Sequence, residues 1–434
     1  MRTARFGIRA YLRPGPDYER LEEDRAARAE AGPGDEVDLA SRAAAAPPPF
    51  WTDFWGPGRR GVYDERPILL DWPADGLRRL WRQPIGPGYG SFVVAEGLAF
   101  TLEQRRDEEA VVAYDPLTGR EVWKHAYPAR FEESMSGEGP RTTPIYSGGS
   151  VFSLGATGEL LRLRAATGEV QWRRDVLLDS GAQALAYGFG STPLVHGGTL
   201  IVCGAAPEPG GCAVLAYDLA TGEPVWRALD EAMAYASPIV YTLAGREQAI
   251  VFTATRVVAL DPADGRQLWE HPWAVQYGLA CSQPVRIDDE HLFVSSGYGM
   301  GASLLRISAA GDELTAERVW KHSRMKNRYS GSILYEGHLY GLDEGRIACL
   351  EPLTGKRLWK GPSFGYGQLI LSEGHFVVLS EEGELVLVEA SPEEYREKAR
   401  FEAIEGLTLN VPALADGLIF VRNHDEMACF DLRR

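Results

Sequence analysis

Eleven residues reading AYDPLTGREVW, from Ala113 to Trp123, return along the chain with the same internal offsets. The frame reads AYDLATGEPVW at Ala216–Trp226, ALDPADGRQLW at Ala259–Trp269 and CLEPLTGKRLW at Cys349–Trp359. Repetition at a fixed period constrains a fold more than any single residue, because each copy must be one supersecondary unit that stacks on the next. Degenerate copies end at Trp81, Trp172 and Trp320, and Phe401 stands where an eighth Trp would. Spacings between these anchors are 42, 49, 54, 43, 51, 39 and 42 residues, close to the length of a propeller blade.

Between anchors lie short β-branched and aromatic runs such as GLAFTL, SVFSLG, TLIVCG, HLFVSSG and HFVVLS, each preceded by a turn signal such as Glu96-Gly97 or Gly148-Gly149. They read as the second arms of hairpins, so the unit is four strands, A to D. Within the frame Asp115 can cap the turn, Thr118-Gly119 supplies a corner with φ > 0, and Trp123 lies on the outer strand as a wedge against the next blade. The chain ends on a third strand, CFDLRR, and residues 77–83 carry the Trp81 anchor with no repeat before them. Pairing of 77–83 with 427–433 would complete the last blade and leave no open edge. The expectation is an all-β, eight-bladed propeller of four-stranded antiparallel blades over residues 51–434.

Residues 1–50 read as a separate N-terminal piece: a basic start, a helical stretch over Asp17–Ala31 and an Ala/Pro-rich linker ending at Pro49. From Trp51 to Asp71, aromatic, Gly and Pro residues are expected to wrap onto the propeller. The net charge of −16 argues against nucleic acid as partner, and no run reaches the roughly 20 apolar residues of a membrane span. Met1–Arg13 carries four arginines without an apolar core, so no signal peptide is visible and the sequence as it stands reads as cytoplasmic.

The innermost strands of a propeller surround its axis, and the segments leading into them form the mouth of a central funnel. Aligned on the repeat, these lead-ins place Arg141, Ser191, Ser237, Gln283, Lys326, Asn327, Arg328, Tyr329, Gln368 and Asn410 as candidate ligand-binding groups. The competing account is that such residues only hydrogen-bond neighbouring blades around the axis. The KNR run at 326–328, with Arg141, is suited to an anionic ligand. The eight histidines fall on outer strands or hairpin turns and do not converge, and Asp343-Glu344 reads as a solvated hairpin turn, so neither metal nor triad chemistry is expected. Five cysteines show no zinc spacing; Cys203 and Cys212 flank one loop and could bridge under oxidising conditions.

The AxDxxTGxxxW frame resembles that of the pyrroloquinoline-quinone (PQQ)-like β-propellers, which include quinoprotein alcohol dehydrogenases and the outer-membrane assembly factor BamB. The resemblance covers roughly residues 51–434, and segments such as DFWGPGRRGVY and MKNRYSGS look like those of bacterial PQQ-binding-like repeat proteins. It implies export or anchoring in the cell envelope. Three functions stay open: a non-catalytic, monomeric propeller that binds a small ligand or protein at its funnel or loop face, a PQQ-dependent dehydrogenase with Ca²⁺, or a BamB-like scaffold. The family's dehydrogenases use a vicinal Cys-Cys pair and a funnel Asp with Glu and Asn calcium ligands. This chain has no Cys-Cys, and its lead-ins offer Asn327 and Asn410 but no Asp, with Glu132, Glu133 and Glu138 nearby. The binding propeller, with no cofactor and no catalytic residue, is therefore the preferred expectation.

Overall fold

The computed structural model describes residues 15–30, 46 and 48–434. The basic start and most of the Ala/Pro-rich tract lie outside these. Eight four-stranded antiparallel sheets follow one another around an axis. Blade 1 spans 93–128, blade 2 145–175, blade 3 194–228, blade 4 239–272, blade 5 285–322, blade 6 333–363 and blade 7 368–402. Blade 8 takes strands A to C from 413–431 and its outermost strand, Arg78–Pro84, from the beginning of the ring. Arg78 pairs with Asp431 and Pro84 with Glu426, so the ring closes as the sequence implies.

Strands B and C are buried almost without interruption, as in Leu418–Arg422 and Glu384–Glu389. Each is covered on both faces by neighbouring blades, which explains why they read as continuous apolar runs rather than alternating ones. The outermost strands alternate, Val170–Asp175 being an example.

The repeated frame is the joint between blades. Asp115 accepts from the amides of Leu117 (2.8 Å) and Thr118 (2.9 Å), shaping the C–D turn. Indole N–H groups then reach the equivalent turn of the next blade: Trp81 to Pro116 O, Trp123 to Ala165 O, Trp320 to Pro352 O and Trp359 to Ser391 O, all within 3.0 Å. Trp172 and Trp226 do the same at 3.2 Å. Gly119 (φ +71°) seats Trp81, where an added Cβ would meet the indole at 2.7 Å. The glycine is thus fixed both by its backbone and by its neighbour's ring. Trp269 departs from the pattern and donates to Gln248 in its own blade, because blade 5 runs its long strands Gly301–Ala310 and Glu313–His322 into a plain hairpin without the DxxTG turn. Phe401 fills the eighth position by ring packing alone, 5.3 Å from Phe430.

Two N-terminal segments are built into the ring. Helix α1 (Tyr18–Glu30) docks across the seam of blades 8 and 1: Leu21 is buried, Arg25 donates to Pro84 O of blade 8 at 2.9 Å and lies over the Tyr114 ring of blade 1, and Glu22 accepts from Arg106 Nε of blade 1 at 2.6 Å. Residues 51–71 pack onto the propeller as expected, but 50–63 do so from within its axial channel. Val94 N and Tyr146 N bond Trp51 O and Thr52 O on the way in, and Tyr63 N bonds Leu371 O on the way out (all 2.8 Å). Between them the chain reverses through positive-φ residues from Trp55 to Gly61. Trp51, Trp55 and Arg59 are almost fully enclosed there. Among the described residues no helix is long and apolar enough to cross a membrane.

Cys203 and Cys212 are free thiols. They pack into separate cores, one on each face of blade 3; Cys203 lies 3.1 Å from Ser191 Oγ, and Cys212 accepts from Arg227 Nε at 3.3 Å. Flanking one loop did not make them face each other, and the pair that could have bridged is unbridged.

Candidate functional site

The axial channel has a floor, a girdle and a collar. Arg59 lies in the floor, its side chain wholly enclosed. It donates to Thr192 O (3.1 Å), Pro238 O (2.7 Å) and Pro193 O, and pairs with Asp53 at 2.9 Å. Trp55 fills the opposite side, its N–H on Leu369 O at 2.9 Å. Three carbonyls from the starts of blades 3 and 4 therefore receive a charged donor from the chain's own N-terminal segment.

Above the floor runs a girdle of lead-in residues. Ser91 N donates to Thr143 Oγ1 (3.0 Å), Thr143 N to Thr192 Oγ1 (3.0 Å) and Thr192 N to Ser237 Oγ (2.9 Å), each bond stepping to the next blade. Gln368 spans from Tyr329 O to Leu409 O, and Asn410 Nδ2 holds Gly88 O and Gly90 O. Asn327 accepts from Ser332 at 2.8 Å. These residues hold the blades to one another. Gln283, at the repeat position of Thr143, Thr192 and Ser237, breaks the series: it is 2% exposed, and neither amide atom has a partner among the described residues. Asn410 Oδ1 is likewise unpartnered.

The collar is aromatic and cationic. Arg328, leading into blade 6, lies with its guanidinium carbon 4.1 Å from the Tyr298 ring, 4.4 Å from Tyr366 and 5.2 Å from Tyr329. Arg141, leading into blade 2 and so diametrically opposite, stacks on Phe131 (4.3 Å) and Tyr89 (5.6 Å). Tyr187 and Tyr235 continue the collar, their rings 5.8 Å apart, and His424 meets Tyr89 at 4.4 Å. Neither arginine has a carboxylate within ion-pairing distance among the described residues. Arg141 bonds the Gly139 and Gly137 carbonyls and Ser136 Oγ, and burial lowers its pKa. Arg328 bonds Tyr366 Oη, and its buried Nε has no partner. Beneath Arg141, burial raises Glu109 to about 7; its carboxylate accepts from Tyr127 Oη (2.8 Å) and Ala156 N (3.1 Å).

Of the sequence-predicted group, Arg141, Arg328 and Tyr329 belong to the collar, and Ser237, Gln283, Gln368 and Asn410 to the girdle. Asn327 supports the blade 6 lead-in, and Ser191 faces Cys203 behind the girdle. Lys326 lies on Asp343 at 2.9 Å. Asp343 is 2% exposed and also takes Lys360 at 2.6 Å, so it is a buried ion-pair centre rather than a solvated turn residue. The two lysines hold its pKa below the usual carboxylate value against the cost of burial. Sequence reading missed the floor residues Trp51, Trp55 and Arg59, and the tyrosines at 89, 187, 235, 298 and 366. The Tyr in each of GYGSF and GYGQL was a usable signal.

The carboxylates and Asn327 that the sequence offered for a calcium-held quinone are engaged by other partners. Glu132 lies 3.3 Å from Arg130, Glu133 caps the Met135 and Ser136 amides, and Glu138 holds Tyr18 and Arg130. Asn327 faces Ser332 and Leu342. No three His, Cys, Asp or Glu side chains converge on one point among the described residues.

The family model for outer membrane protein assembly factor BamB matches residues 73–186, 107–361 and 343–432. The chain belongs to this family. It is similar to the BamB of Burkholderia pseudomallei (strain K96243), 23% identical over 361 residues, which cover 73% of this chain and 89% of that one. The crystal structure of BamB from Moraxella catarrhalis superposes with a TM-score of 0.55 at 14% identity, over 82% of this chain and 97% of that one. A quinohemoprotein alcohol dehydrogenase from Pseudomonas putida HK5 gives 0.62 at 14% identity, over 92% and 82%. At such identities the two structures bear on fold alone. The chain is thus a PQQ-like, BamB-like propeller.

Proposed function

We propose that this propeller is a non-catalytic scaffold of the cell envelope that binds a protein partner across the collar face, as an assembly factor would. The observation that carries the reading is the rim of that face. Met135 is 74% exposed, Leu178 79% and Tyr277 73%, each at the tip of a D–A loop, on blades 1–2, 2–3 and 4–5. Large apolar side chains exposed at loop tips around a polar mouth suit a protein interface. The connections after blades 1 and 2, residues 129–144 and 176–193, are the longest and the one after blade 6, residues 364–367, is the shortest, so the crest is highest over blades 1 to 3 and lowest between blades 6 and 7.

Site-specific photo-cross-linking in the native host tests the reading. Probes at 135, 178 and 277 are expected to trap the same protein, trapping from 135 and 277 being lost when Leu178→Glu is added, while a probe at Leu353 on the far face traps none of it. Equal trapping from both faces would refute it. Saturable, Ca²⁺-dependent binding of PQQ with dye-linked alcohol or sugar oxidation would move the assignment to a dehydrogenase.

A further inference from the structure

We infer that the blade 5–6 sector of the funnel mouth is a receptor for a carboxylate carrying a neighbouring amide, the chemistry of a peptide C-terminus or a free N-acyl amino acid. The inference rests on the collar face being the binding face. Three observations converge. This is an acidic chain, with 61 Asp and Glu against 45 Lys and Arg, and most of its partly buried arginines pair with carboxylates, as Arg82, Arg105 and Arg256 do. Arg328 and Arg141 at the mouth do not. Their charge is held by aromatic faces and neutral oxygens, and an anion satisfies both the charge and the Arg328 Nε, which is buried without a partner among the described residues.

The second observation is Gln283 in the lead-in to blade 5, next to the blade that carries Arg328. Thr143, Thr192 and Ser237 occupy its position in the preceding blades and close the girdle there; a primary amide does not. It leaves one donor and one acceptor without partners in a buried setting, a costly arrangement that a peptide group relieves by pairing with both. The third is the collar itself. Tyr298 and Tyr329, joined Oη to Oη at 3.0 Å, flank the guanidinium, and Tyr235, whose amide bonds Ala280 O in the blade 5 lead-in at 3.0 Å, adds a third aromatic face against which a chain or acyl group packs.

Calorimetric titration of the full chain tests this with a random-sequence hexapeptide pool bearing free C-terminal carboxylates, the same pool amidated, and N-acetylglycine. The free-carboxylate pool is expected to bind at least tenfold more tightly than the amidated one. Matching affinity for N-acetylglycine would assign the free compound as the source, and much weaker affinity the peptide. Arg328→Gln and Gln283→Leu should each weaken binding about tenfold, and Arg328→Lys, which keeps the charge and the fold but loses Nε, should fall between. Equal binding of free and amidated pools, or no binding at millimolar concentration with Arg328→Lys indistinguishable from the parent, overturns the inference. Rim cross-linking at 135, 178 and 277 is independent of these variants, so its persistence would leave the scaffold reading standing.

Discussion

Replacing Arg59 with Met removes the buried cation from the floor of the channel while keeping much of its volume. Bonds to four partners go: those to Thr192 O, Pro193 O and Pro238 O, and the pair with Asp53. Removing one partner of a buried ion pair costs about 3–5 kcal/mol. Asp53 keeps 18% of its side chain exposed, so its stranded charge is partly relieved by water, which places the loss near the middle, at about 4 kcal/mol. The unfolding entropy of a globular chain is about 2.1 cal/mol/K per residue, or about 0.8 kcal/mol/K over the roughly 385 residues of the ring and its floor. The melting temperature should therefore fall by about 5 °C in differential scanning calorimetry. Hydrogen exchange should accelerate first at Leu371 and Tyr63, whose amides bond Gly61 O and Leu371 O. Adding Asp53→Asn should restore part of the loss by discharging the stranded carboxylate. A fall below about 1 °C with unchanged exchange at Leu371 would refute the argument that this guanidinium ties the floor to blades 3 and 4.

Glu109 has a folded-state pKa raised from 4.5 to about 7, so the folded state holds a proton that the unfolded state has lost between those values. Stability should fall as pH rises from 5 to 8, with Glu109→Gln flattening the slope by up to about 3 kcal/mol in urea titrations at several pH values. Gly265→Ala sets a Cβ 2.4 Å from the Trp226 ring at φ +74° and should destabilise by about 2 kcal/mol or more, measurable as a drop in urea midpoint at constant slope. Cys203 and Cys212 should both take up alkylating reagent after denaturation without reductant, and a mass shift for neither would contradict the free thiols.

The ring was legible because its information is local and repeated. Asp115, Thr118-Gly119 and Trp123 each act within a turn or on the adjoining blade, and Trp81, Trp172, Trp226, Trp320 and Trp359 repeat the same joint. The lead-ins were also legible as positions, since Pro144, Pro193, Pro238 and Pro284 mark the strand starts. Which side chain at each start turns to the axis was not: Ser191 was chosen where Thr192 forms the girdle. The floor was invisible for a different reason. Trp51, Trp55 and Arg59 follow no period, and Arg59 finds carbonyls 133 and 179 residues away while Trp55 bonds one 314 residues away. No spacing rule reaches contacts of that separation. Asp343 was misread because a DEG hairpin signal describes the backbone, while burial by Lys326 and Lys360 is decided by another turn and strand.

The floor segment precedes the closing strand in the chain, and both precede every blade they complete. The first residues of the domain to emerge during synthesis are thus the last whose partners exist, since Arg82 waits for Glu426 and Ile68 for Arg434. The eight sheets must gather around a rod already threaded between them, and the hoop is sealed only when the final strand leaves the ribosome. A nascent chain stopped short of residue 426 therefore lacks the partner of its own first strand and carries an unsealed edge.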